Sequence, residues 1–168
     1  VNEAKKNEAV ALQEYRQVKE GEYVFPSRLR MAYLLVKANR LNEAREMLQQ
    51  TSARNNQQRV QLILTEGQIL RDAKQYDEAF RVLSNGLEKM PNDPELLYEA
   101  AMVADKQGKA VIFEEMLRRL IKLEPDHAHA YNALGYSLLE RKERLAEAMQ
   151  LVEKAYQLTP DDAAIMDS

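Results

Sequence analysis

Histidine is the one residue type whose free side chain titrates near neutrality, and the chain has two, His127 and His129, in a His-x-His flanked by Glu124 and Asp126. Imidazoles and carboxylates at that spacing suggest metal ligation. A metal centre needs further ligands fixed in geometry, however, and two histidines on a linker with flexible acids make at most an adventitious surface site. The paired acids Glu114-Glu115 and Asp161-Asp162 raise the chemistry of glycoside cleavage, which requires two carboxylates held across a cleft with one in an apolar setting. Neighbours on one helix cannot do that, so both pairs read as solvated surface, with Asp161-Asp162 placed to cap a following helix. Arg118, Arg119 and Lys122 are interrupted by Leu117, Leu120 and Ile121, the pattern of an amphipathic helix with a wet face and not of a phosphate track. There is no HExxH, no GxSxG elbow and no phosphate loop, since Gly108-Lys109 lacks an upstream glycine partner. The expectation is a chain without catalytic residues, cofactor or metal.

Composition narrows the elements that carry these residues. Of 168 residues, 45% are hydrophobic and 30% charged, with five glycines and five prolines, which disfavours both a disordered tail and a loop-rich sandwich and favours helices. With 24 Lys+Arg against 27 Asp+Glu the net charge is −3, which argues against nucleic acid as a partner. The absence of cysteine excludes disulfides and thiolate chemistry and leaves cytosol and periplasm both open. No apolar run has the length of a signal peptide or a membrane span. A start at Val1 without methionine, and an end at Ala163–Ser168 that reads as the opening of a helix, suggest an excised piece whose export signal or anchor would lie elsewhere.

Prolines that close helical segments recur at Pro91, Pro125 and Pro160, at intervals of about 34 residues, the signature of a repeat array. The period divides the chain into residues 1–24, the second half of a preceding unit plus a linker; whole units at 25–59, 60–93, 94–127 and 128–162; and 163–168, the start of a truncated one. Each unit reads as two amphipathic helices. In the last, Tyr131, Leu134, Gly135 and Leu138 form one stripe and Ala148, Leu151, Val152 and Ala155 the other. Gly135 and Ala148, like Gly67 and Ala79, are small where paired helices must approach closely. Asn39 or Gly108 can adopt the left-handed conformation that ends a helix.

Departures from the period carry their own expectations. Phe113 and Leu120 are large where small residues recur, so the third pair is either wedged apart or accommodated by Ala100-Ala101. Glu66, in an apolar position, either snorkels outward or is paired. The extra residue in Arg141–Arg144 should lengthen a turn and do nothing else.

Tyr131, Leu134, Gly135, Leu138, Ala148, Ala155 and Pro160, with Gly67, Tyr76, Ala79 and Pro91, resemble tetratricopeptide repeats. The resemblance implies an all-α, right-handed superhelical solenoid of antiparallel helix pairs that acts as a non-catalytic scaffold for a protein or peptide partner. It further implies that first helices line a groove through Leu29, Tyr33, Val36 and Lys37; Leu64, Gln68, Arg71 and Asp72; Tyr98, Met102, Asp105 and Lys106; and Asn132, Tyr136, Leu139 and Glu140. Tyrosine and methionine there suit peptide capture. Chaperone-binding members hold a peptide's terminal carboxylates with lysine and asparagine where this chain has Leu29 and Tyr33, so that clamp is missing.

The runs from Asp126 to Leu139 and from Leu158 to Ser168 are also similar to repeat-rich lipoproteins of the Gram-negative outer membrane. That resemblance implies a periplasmic, lipid-anchored scaffold and, in some members, an adaptor for an envelope protease or assembly complex. The alternative is a spacer, or a module that self-associates through its open ends.

Overall fold

Four turns of one design pace this chain. Asn39 (φ 60°), Lys74 (φ 59°), Gly108 (φ 71°) and Lys142 (φ 56°) are left-handed, and each stands two residues past the end of a helix. At each, the next amide donates back to the carbonyl five residues earlier: Arg40 to Leu35, Gln75 to Leu70, Lys109 to Ala104 and Glu143 to Leu138, at 2.8–3.0 Å. The left-handed residue's own amide donates to the carbonyl three residues back, as Asn39 does to Val36 at 2.9 Å. This paired pattern satisfies the carbonyls a helix leaves open at its C-terminus and turns the chain back on itself. Asn39 and Gly108 match the expectation; Lys74 and Lys142 adopt the same conformation without the residue type that favours it.

The computed structural model describes residues 2–160, among which there are nine helices and no strand. They are α1 (Asn2–Gln17), α2 (Val24–Lys37), α3 (Leu41–Gln50), α4 (Asn56–Asp72), α5 (Tyr76–Lys89), α6 (Pro94–Lys106), α7 (Ala110–Leu123), α8 (Ala128–Glu140) and α9 (Leu145–Leu158). The expectations for Asp161-Asp162 and for 163–168 fall outside the described residues. The repeat boundary drawn at Val60 falls inside α4, which opens at Asn56 with its cap Asn55 accepting from the Gln58 amide at 2.8 Å. Its polar first turn, Asn56-Gln57-Gln58, hides the helix from an apolar period. Elsewhere Asp93 caps α6, accepting from the Leu96 amide at 3.0 Å with Pro94 in the first turn.

The chain divides after Leu83 into two compact units. In the first, Leu12 of α1, Met31, Ala32, Leu34 and Leu35 of α2, Ala44 and Leu48 of α3 and Ile69 of α4 form one buried cluster. Gly67 lies so close to α5 that a Cβ there would stand 2.9 Å from Leu83 Cδ2. In the second, Leu96, Leu97, Ala100, Ala101, Leu117, Leu134 and Leu138 are all buried. Phe113 and Leu120 are buried too, opposite an α6 whose Ala100 and Ala101 have no exposed surface, so the pair makes room with alanine in place of glycine. Gly135 seats α8 against α9, where a Cβ would meet Val152 Cγ2 at 2.8 Å and the Ala148 carbonyl oxygen at 2.9 Å.

Candidate functional site

The predicted groove residues separate into exposed, tethered and buried groups. In the first unit Tyr33 of α2 is 37% exposed, and its hydroxyl donates to Gln68 Oε1 of α4 at 2.9 Å. Two expected groove positions on successive first helices are thus joined, and the bond restrains the phenol ring. Lys37 donates to Glu8 Oε1 of α1 at 2.9 Å, and Arg71 Nε lies 3.7 Å from Asp72 Oδ1. Leu64 of α4 is buried, and Leu29 and Val36 of α2 are half-buried, packed against the cluster around Met31 and Leu35.

In the second unit Tyr136 of α8 is 44% exposed. Met102, Asn132 and Leu139 are half-buried; Asp105, Lys106 and Glu140 are exposed. Tyr98 of α6 is half-buried, its ring centroid 5.4 Å from that of His127, so this tyrosine works partly as packing. His127 Nδ1 accepts the Ala130 amide at 3.1 Å and caps α8. The reading of His127 as a solvated linker is therefore replaced by a half-buried helix cap whose acceptor nitrogen is already engaged. His129 is exposed on α8, and no group of three or more metal-capable side chains occurs among the described residues.

Two ionic clusters hold acids that the surface does not fully expose. Glu66, buried on α4, accepts from Arg45 Nε at 3.1 Å and Gln49 Nε2 at 2.8 Å, while Arg45 Nη2 reaches Glu78 Oε2 at 3.2 Å. Pairing, not snorkelling, explains its apolar position. Glu114 on α7 is no solvated acid either. It accepts from Arg144 Nη2 at 2.6 Å and Arg118 Nε at 2.8 Å, and Arg118 also reaches Glu147 Oε1 of α9 at 2.6 Å. The Arg144 hydrogen bond, then that of Arg118, hold the Glu114 carboxyl at about 2, against the desolvation that would raise it. The longer turn thus does more than add a residue, because it delivers Arg144, itself left-handed at φ 43°, onto α7. The spacing of Glu114 and Arg118 signalled half of this cluster; Arg144, 30 residues away, left no local signal.

Models of the tetratricopeptide repeat match this pattern over residues 29–94 and 114–163, and a second such model over residues 70–135. The chain belongs to the tetratricopeptide repeat family. It is 40% identical over 166 residues to the TPR repeat-containing protein PA4667 of Pseudomonas aeruginosa, covering 99% of this chain and 28% of that relative. The chain therefore spans less than a third of that protein's length. Among solved structures, MamA superposes with a TM-score of 0.70 at 17% identity, over 96% of this chain and 94% of that one. YrrB, described as a TPR protein with an unusual peptide-binding site, superposes with a TM-score of 0.67 at 19% identity, over 98% and 84%. These likenesses establish the fold as a TPR solenoid of antiparallel helix pairs.

No helix among the described residues is long and apolar enough to cross a membrane.

Proposed function

We propose that this TPR array is a non-catalytic scaffold whose first helices capture an apolar segment of a partner protein. The observation that carries the reading is the Tyr33–Gln68 hydrogen bond, which holds an exposed aromatic ring ready on the face where the family places its ligands. Tyr136 offers a second exposed ring on α8. A restrained tyrosine contributes contact area at little ordering cost. Burying a tyrosine and a leucine together contributes about 3–5 kcal/mol, so a few such contacts support micromolar affinity after association costs. YrrB, by its description, has a peptide-binding site, which supports the class of ligand. Leu29 and Tyr33 in place of the chaperone clamp direct the choice away from a carboxylate-terminated chaperone tail.

The resemblance of Asp126–Leu139 and Leu158–Ser168 to outer-membrane lipoproteins supports a periplasmic setting, with a lipid anchor outside these residues and an adaptor role toward an envelope protease or assembly complex. The test is a pulldown from an envelope extract with the intact protein, repeated with Tyr33→Ala, Tyr98→Ala and Tyr136→Ala combined. Loss of the captured partner with the helical circular dichroism retained supports the reading, and equal recovery refutes it. Recovery of the partner from a soluble cytosolic fraction alone removes the envelope assignment.

Self-association is favoured by one observation. Leu145, Met149 and Tyr156 are exposed at helical spacing along α9. A monomer in sedimentation velocity at high concentration contradicts that alternative.

A further inference from the structure

The second unit carries a cleft that shares no residue with the groove positions. Its volume is about 500 Å³. Leu97 of α6, only 1% exposed, forms its floor, while Leu87 of α5 and Ile112 and Met116 of α7 form apolar walls. Two acids belong to the lining, Glu88 from α5 and Glu115 from α7. Both are exposed, and neither has an ion-pair partner among the described residues. Arg119, also in the lining, donates through Nη2 to the neutral Asn92 Oδ1 at 2.9 Å and keeps its charge, so the two acids leave the lining with a single net negative charge.

A cleft of this volume accommodates several side chains. Methionine, leucine and isoleucine walls adapt to different aliphatic shapes. A lining that keeps a net negative charge beside its apolar walls disfavours an acidic occupant and favours a basic one. We propose that this cleft docks a segment of a partner protein carrying one or two large apolar side chains with lysine or arginine on either side, the pattern of a basic amphipathic helix. It is a second docking place, walled by the second helices α5 and α7, and its occupant leaves the groove positions of the first helices free.

Two short synthetic helical peptides test it. Both carry the same leucines, one flanked by lysines and the other by glutamates, and fluorescence anisotropy reads their binding to the full chain. The lysine peptide should bind about tenfold more tightly, with a preference that shrinks as salt rises. Glu88→Lys with Glu115→Lys should reverse the preference, and Glu88→Gln with Glu115→Gln should abolish it. Both positions are solvent-exposed, so thermal melts of these variants should match wild type. Tyr33→Ala with Tyr136→Ala should bind the lysine peptide as wild type does, which separates this cleft from the groove. Equal binding of the two peptides, no saturable binding by either, or a preference unaltered by charge reversal would overturn the proposal.

Discussion

Gly135 rests directly on the backbone of α9: a Cβ placed on it would stand 2.9 Å from the carbonyl oxygen of Ala148. A backbone oxygen cannot rotate aside as a side chain does, so the α8–α9 crossing depends on the missing methyl group. Gly135→Ala would gain up to about 1 kcal/mol of helix propensity and lose about 1–3 kcal/mol to overpacking, for a net loss of stability. Gly67→Ala meets the Leu83 side chain at 2.9 Å instead, and should cost less because Leu83 can shift. Urea midpoints of the two variants check the order.

Those two glycines also mark how far the sequence could be read. Gly67, Ala79, Gly135 and Ala148 are small for a reason that recurs every repeat, so period and size alone located the helix crossings and hence the fold. Contacts between distant residues left no such trace. Leu29, Val36 and Leu64 share the groove spacing with Tyr33 yet are half-buried or buried, because spacing gives the face of a helix and not how much of each side chain its neighbours leave exposed. Glu66 and Glu114 are held by arginines 21 and 30 residues away, beyond any helical period.

The four left-handed turn residues make a further prediction. Gly108 adopts φ 71° freely, whereas Lys74 and Lys142 hold φ 59° and 56° against their own side chains. Lys74→Gly should stabilise the protein by about 0.5–1 kcal/mol, and Gly108→Ala should destabilise it by about 1 kcal/mol. Thermal melts give the sign of each; a Lys74→Gly variant that melts below wild type would show that its long side chain, and not its backbone, matters at that turn.

Glu114 sets part of the acid limb of stability. Its carboxyl is held at about 2, below its ordinary 4.5, chiefly by Arg144 and then Arg118. The depressed group stabilises the folded chain fully above the unfolded value, and that contribution is lost as pH falls from about 4.5 through about 2. Glu114→Gln should flatten the pH dependence of the urea midpoint in that window while leaving the slope above it unchanged. An identical acid limb in wild type and variant would remove Glu114 from the account.

The central claim is that the first helices meet the partner. A photo-reactive amino acid placed in turn at Tyr33, Tyr136 and, as a second-helix control, Lys154 of the intact protein tests this in cells. The account predicts a cross-linked partner from Tyr33 and Tyr136 and none from Lys154; adducts from Lys154 alone would contradict it.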